Sequence, residues 1–174
     1  MKLEAVHRKR TTVMSADVVG YAGLMAADAA STLGALLAHF RQIEALVRQF
    51  GGRIVDAPGD NLLVEFPDEA RALSCALQVQ RRLADTTRAA SGRMRLQFRI
   101  GLHSGETLEH GGRLYGDAVN IAARLQAAAA PDGILLSEAV AERAAPHGYG
   151  GLVGLGSCWF KNVPYAVSTY RALI

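Results

Sequence analysis

The chain has 174 residues, half of them apolar and a fifth charged, with a net charge of +3 and a pI near 9.1. That length and composition fit one domain with a sizeable core and exclude a disordered chain. Aromatic residues are only 6% of the chain, and no basic strand interleaved with aromatics occurs, which sets nucleic acid aside; arginine far outnumbers lysine, which suits phosphate-bearing small molecules.

Met1 to Arg10 is basic but no long apolar run follows it, and no stretch reaches membrane-spanning length, so the chain is expected to be cytoplasmic with no membrane partner. Thr11 to Ala16 reads as a buried first strand ending on Asp17-Val18-Val19-Gly20-Tyr21. A carboxylate there, before a turn into a helix, can face a bound anion or metal. Leu24 and Met25 begin a short helix. From Ser31 to Phe50 apolar residues recur at three and four, predicting a long amphipathic helix with Ser31 as N-cap and Gly51-Gly52 as its stop. Arg53-Ile54-Val55 and Leu62 to Phe66 read as a hairpin, with Pro58 and Gly59 at the two central turn positions and Asp56 and Asp60 close to the bend.

Pro67 is the expected start of a second helix, and Thr86 to Gly92 a surface loop. Arg95 to Leu102 and Glu106 to Glu109 read as two strands separated by Ser104-Gly105, with a turn at His110-Gly111-Gly112. Gly116 to Ala130 is a predicted helix, Ile134 to Ser137 a short strand, and Glu138 to Ala144 a short helix. The glycine-rich tail from Gly148 holds two last strands, around Trp159 and from Tyr165 to Tyr170. Cys75 and Cys158 have no metal-ligand spacing and are expected to be buried thiols in a reducing compartment.

This order predicts an α+β fold, one sheet with helices mainly on one face. Its first half is a ferredoxin-like β-α-β-β-α-β core, with a C-terminal extension. That topology lays the first strand beside the hairpin and brings Asp17 and Asp60 together. Two facing carboxylates are costly unless a cation lies between them, so Mg²⁺ or Mn²⁺ accounts for the pair, with the Val18 carbonyl as a further ligand; two unrelated turn aspartates remain the alternative. On the predicted helix after Gly116, Val119, Ala122 and Ala123 form a small apolar face, while Asn120 and Arg124 share another edge suited to a sugar and a phosphate.

Four segments together, Asp17-Val18-Val19-Gly20-Tyr21, Gly59-Asp60 before an apolar strand, Arg99 to Gly105, and Tyr115 to Arg124, resemble the bacterial form of the class III adenylate/guanylate cyclase catalytic domain. The likeness runs from about residue 10 to residue 171 and treats 1–174 as a single nucleotidyl cyclase domain. It implies a head-to-tail homodimer acting on a nucleoside triphosphate with two Mg²⁺ or Mn²⁺ ions. In it, Asp17 and Asp60 match the metal ligands, and Asn120 and Arg124 of the other subunit match the ribose-orienting and transition-state-stabilising pair. Val19, Gly20, Tyr21, Arg99 and Lys161 fall at phosphate-binding positions. The implied reaction is attack of the ribose 3′-oxygen on the α-phosphorus with release of pyrophosphate.

The sequence departs from that pattern at the base-selecting positions. Adenylate cyclases carry a lysine where Asp56 stands and an aspartate where Arg113 stands, so acid and base have changed places. Asp56 suits the N1–H and N2–H₂ donors of guanine and Arg113 its O6 and N7 acceptors. Uracil satisfies the same polarity. Adenine fits only if Arg113 reaches N1 while Asp56 accepts from N6, so ATP stays open beside GTP. An Asp56–Arg113 ion pair in a catalytically silent dimerisation or nucleotide-sensing module is the rival account. Ala22 lacks the hydroxyl that many relatives have near the phosphate turn. His103, with no acidic or cysteine partner spaced for catalysis, is expected to pack or hydrogen-bond, and Glu65 to face solvent.

Overall fold

A computed structural model of the chain describes residues 5–89, 94–148 and 151–174. Strand β1 (His7–Val18) begins earlier than the apolar run suggests, because its polar start also pairs with β4 (Phe98–His110), from His7 opposite Glu109 to Val18 opposite Phe98. A backbone ladder needs no apolar side chains, so hydrophobicity under-reads its length. The same ladder sets Ser104 and Gly105 opposite Thr12 and Thr11, making β4 one continuous strand where two were expected.

After α1 (Tyr21–Ala27), helix α2 (Ala29–Gln49) is capped by Asp28, whose carboxylate accepts from the Ser31 backbone N–H at 3.0 Å and from the Ser31 hydroxyl at 2.6 Å. Ser31, predicted as the cap, is the residue being capped. Strands β2 (Arg53–Asp56) and β3 (Leu62–Phe66) form the predicted hairpin, but its turn is closed by the Asn61 N–H on the Pro58 carbonyl at 3.1 Å. Gly59, at φ +62°, and Asp60 are therefore the central turn residues, one position later than expected. A bulge between Ile54 and Asp56 adds a residue on the β2 side and carries the turn forward.

Helix α3 (Glu69–Ala89) starts after Asp68, which accepts from the Arg71 N–H at 2.8 Å, and continues through Thr86 where a loop was expected. The remainder of that expected loop, 90–92, lies outside the described residues. Strand β5 (Arg113–Tyr115), which the sequence reading lacks, folds back on β4. Then follow α4 (Asp117–Ala128), β6 (Ile134–Ser137), α5 (Glu138–Ala144), a 3-10 turn at 145–147, β7 (Leu152–Cys158) and β8 (Val167–Ala172).

The sheet order is β2-β3-β1-β4-β6-β8-β7, with β5 on β4. Its first four strands, with α2 and α3, are the predicted ferredoxin-like core. One face, bearing Met14, Val64, Phe66, Phe98, Ile100 and Leu102, packs against Leu36 and Ile43 of α2, Leu73 of α3 and Val140 of α5. The other carries α4, through Val13, Leu114, Ala118 and Ala122, and beside it Phe160, Val163 and Val167, which pack with Leu135, Ile121 and Leu125. Cys75 is fully buried and burial pushes its thiol up to about 12. Cys158, expected to be buried, is only half-buried, and Trp159 beyond it is 74% exposed, because β7 is the outermost strand of the sheet and most of its residues face solvent. Among the described residues no helix is long and apolar enough to cross a membrane.

Helix α4 lies so close to β4 that a Cβ on Gly101 would sit 2.2 Å from the Ala122 carbonyl oxygen and 2.3 Å from the Gln126 nitrogen. Both are backbone atoms and cannot rotate away. Gly101→Ala is therefore expected to destabilise the fold by about 3 kcal/mol, lowering the melting temperature by roughly 6–12 °C. Calorimetry on the two proteins checks this, and an unchanged melting temperature would contradict the packing described.

Candidate active site

The β1–β3 ladder sets Ala16 opposite Leu62, which places Asp17 at the end of β1 next to the turn that carries Asp60. Asp60 Oδ2 accepts the Val18 N–H at 3.3 Å, so one acid is seated on the residue that follows the other. The Val18 side chain is buried in the core and only its backbone faces this corner. Among the described residues no group of three or more His, Cys, Asp or Glu gathers anywhere as a ready metal cage. Two carboxylates and a carbonyl are nonetheless the kind of hard-oxygen set that Mg²⁺ accepts when substrate phosphates complete its shell.

Asp17 is not free in this chain. Arg99 stands directly opposite it in the β1–β4 ladder and grips both carboxylate oxygens, Nε to Oδ1 at 3.1 Å and Nη2 to Oδ2 at 3.0 Å. Arg99 Nη1 also donates to the Ala127 carbonyl near the end of α4, at 3.2 Å. The arginine expected at a triphosphate thus lies against the acid expected at a metal. In the turn that follows, the Val19 N–H already donates to the Gln97 carbonyl at 2.8 Å, so that amide is committed within the chain. Gly20, at φ +66°, opens α1, Tyr21 is half-buried against the main core, and Ala22 is exposed.

Helix α4 buries Ala118, Ile121, Ala122 and Leu125, leaving Val119 and Ala123 at the margin of the apolar face predicted for them. Asn120 is exposed and Arg124 half-buried, and neither side chain has a hydrogen-bond or ion-pair partner among the described residues. Asp56 is half-buried and accepts the Ala57 N–H at 3.0 Å; Arg113 is exposed on β5, and no ion pair joins the two within the chain. Lys161 is exposed in a turn closed by the Val163 N–H on the Phe160 carbonyl at 3.1 Å, and forms no ion pair with the other candidates.

One feature is not legible in the sequence. Glu65 does not face solvent: its side chain is 13% exposed and lies between Lys9 and Arg53, at 2.7 and 2.6 Å. Burial alone would raise its carboxyl, but hydrogen bonds from Lys9 and Arg53 hold it below the usual range. Alternation along β1 and β3 puts Lys9 and Glu65 on one face; only the register shows that they meet. His103 behaves as expected of a packed histidine, with Nδ1 2.7 Å from Ser137 Oγ. Burial, with Arg10 adding repulsion, lowers its pKa from 6.5 to about 4.

Residues 3–150 match the family described as the adenylate and guanylate cyclase catalytic domain. A Rhizobium meliloti protein whose name includes "adenylate cyclase 3" is 34% identical over 143 residues, covering 82% of this chain and 24% of its own length. An adenylate cyclase of Streptomyces coelicolor is 32% identical over 136 residues, covering 77% of this chain and 34% of its own. The chain thus spans a quarter to a third of these relatives. The crystal structure of an adenylate/guanylate cyclase/hydrolase from Silicibacter pomeroyi superposes with a TM-score of 0.90 at 29% identity, covering 98% of this chain and 99% of that one.

His103 sets a pH dependence whose sign follows from its lowered pKa. The folded state favours neutral imidazole, so as pH falls below about 6.5 the unfolded chain takes up the proton first. Its stabilising contribution is whole above that pH and is lost progressively toward pH 4, on the order of 3 kcal/mol in total. His103→Gln should flatten this part of the stability profile relative to the parent. Urea unfolding at several pH values measures it, and parallel profiles would refute the assignment.

Proposed function

The chain belongs to the adenylate and guanylate cyclase catalytic-domain family, and on that premise we propose that two copies pair head to tail and convert a nucleoside triphosphate to its 3′,5′-cyclic monophosphate and pyrophosphate. The observation that supports the pairing is the unpartnered state of two α4 side chains. Asp17, Asp60 and Arg99 gather at the end of β1, whereas Asn120 and Arg124 stand on α4 with no side-chain partner among the described residues. A second copy, related by a two-fold axis, supplies each half-site with the other, twice over.

In this reading Asp17, Asp60 and the Val18 carbonyl hold the divalent ions, two Mg²⁺ or Mn²⁺. Such ions, when bound, offer Lewis-acid stabilisation to the oxygens around phosphorus. Asn120 orients the ribose so that its 3′-oxygen stands in line with the bond to the leaving pyrophosphate. Arg124 offsets the charge that builds on the α-phosphoryl oxygens. Arg99 exchanges Asp17 for the triphosphate, so that substrate entry and the freeing of Asp17 are one event. Gly20 and Tyr21 line the phosphate turn, with Lys161 on the β7–β8 loop as a further phosphate contact.

Asp56 and Arg113 read the base. The carboxylate accepts from N1–H and N2–H₂ of guanine and the guanidinium donates to O6 and N7, which places GTP ahead of ATP. UTP shares the polarity through N3–H and O4, and a pyrimidine cyclase is the second reading within the enzyme class. A silent dimerisation or nucleotide-sensing module is the rival outside it, and the bidentate Asp17–Arg99 pair is the observation in its favour.

Incubation with ATP, GTP, UTP and CTP in turn, with Mn²⁺ and at dimer-forming concentrations, should yield a cyclic product, most rapidly from GTP. No cyclic product from any of the four supports the silent module instead. Arg124→Ala should lower kcat by about 10²–10³. Asp17→Ala and Arg124→Ala, each nearly inactive alone, should recover about a quarter of the parent rate when mixed, since half the dimers then hold one intact site of two. Failure of the mixture to recover activity speaks against a shared site. Asp56→Lys with Arg113→Asp should turn preference toward ATP; unchanged selectivity would remove both residues from base reading.

A further inference from the structure

Four charged side chains on the α4 face of the sheet close into a ring that the proposed chemistry does not use. Lys9 Nζ lies 2.7 Å from Glu65 Oε1 and 2.6 Å from Glu109 Oε2. Arg53 Nη2 lies 2.6 Å from Glu65 Oε2 and 2.9 Å from Glu109 Oε1. Signs alternate round the ring, and its members come from β1, β3, β2 and β4 in turn. From the ring Arg53 also reaches outward: its Nη1 donates to the Gly112 carbonyl at 3.0 Å. Gly112 immediately precedes Arg113, and Arg53 begins the short strand that ends on Asp56.

Resting on the reading of Asp56 and Arg113 given above, we propose that Arg53 is a positioning residue for base selection, clamped by Glu65 and Glu109 and setting the spacing between Asp56 and Arg113. The backbone does not set that spacing. Strand β2 has four residues, pairs only with β3 and carries the bulge just before Asp56; β5 has three residues and pairs only with β4. No ladder joins β2 to β5. Two groups that read one base edge must hold their places to within about 0.5 Å, and a side-chain brace between their strands supplies that.

Residue type and surroundings fit the task. A guanidinium is a planar fork that can serve three acceptors at once in fixed directions, which an ammonium cannot. Glu65 and Glu109 are 13% and 25% exposed in their side chains, so the clamp is partly sheltered from solvent screening. Hydrogen bonding to Lys9 holds the Glu109 carboxyl low, as Lys9 and Arg53 do for Glu65, and the ring stays charged at neutral pH. A role in stability alone does not account for the Gly112 contact. β1, β3 and β4 are already laddered to one another, and what Arg53 adds is the tie from β2 to the β4–β5 turn.

The test uses the full chain with Mn²⁺ and the 3′-deoxy forms of ATP, GTP, UTP and CTP, which bind but cannot cyclise. Dissociation constants and melting temperatures are measured for the parent, Arg53→Met, Arg53→Lys and Glu109→Gln. Arg53→Met should weaken the preferred base about tenfold and leave the least preferred unchanged, so that discrimination shrinks by the same factor. Arg53→Lys should restore the melting temperature without restoring discrimination. Glu109→Gln, which keeps the Gly112 contact, should fall between and serves if Arg53→Met does not fold. Equal weakening of all four nucleotides, or unaltered discrimination, overturns the positioning role. A parent protein that binds none of them, or all alike, overturns the reading of Asp56 and Arg113 itself, and shows this before any variant is made.

Discussion

The close approach of α4 to β4 is the constraint on which the geometry of the candidate site depends. It is possible only because position 101 has no side chain: the helix backbone occupies the volume that a Cβ would need. At Gly105 the same helix approaches again, with the Ala118 methyl 3.2 Å from where a Cβ would stand. Small residues on both elements let the helix settle on the strand, and that contact decides which α4 residues turn inward. Ala118 and Ala122 are buried by it, and Ile121 and Leu125 by Leu135, Val163 and Val167 alongside, so Asn120 is left exposed and Arg124 half-buried. The end of α4 is brought within reach of Arg99, which donates to the Ala127 carbonyl.

Charge on that face of the sheet is organised at two places with different consequences. At one end, Arg99 and Asp17 form a bidentate pair across β4 and β1, with side chains 27% and 21% exposed. A partly desolvated carboxylate needs such a partner, and in the proposed reaction it trades one cation for another, so the pair stabilises the resting chain without committing the site. Farther along, the ring of Lys9, Glu65, Arg53 and Glu109 has every charge matched twice within the chain. Removing any one member leaves two opposite charges short of a partner. A closed ring of this kind holds strands at a fixed distance, where an open pair can be exchanged for a ligand.

The fold is largely legible in the sequence. The hairpin, the two long helices, the short Ile134–Ser137 strand and the ferredoxin-like order of the first four strands follow from periodicity and turn residues. The errors share a cause. Hydrophobic pattern under-reads β1, breaks β4 at Ser104-Gly105 and misses β5, because backbone pairing extends through polar and glycine residues that carry no hydrophobic signal. The cap moved from Ser31 to Asp28 and the turn moved forward by one residue, both because neighbouring backbone geometry chose among several suitable side chains. Glu65 looked like a solvent-facing residue since alternation reports which face a side chain takes, and not what meets it there.

By itself the sequence determined the α+β class, the family membership carried by its spaced motifs, and the identities of the groups available: the acids Asp17, Asp60 and Asp56, the bases Arg99, Arg113 and Arg124, and the amide Asn120. These are properties of residue type, period and order, which are local. Only the tertiary structure decided which of those groups hold one another within the chain. Arg99 is on Asp17, Asp56 is not on Arg113, and Arg53 reaches Gly112, because strand register and the seat of α4 set distances between residues remote in sequence. Charge–charge and hydrogen-bond energies fall away within a few ångströms, so partner choice belongs to the packing and cannot be read from composition or spacing.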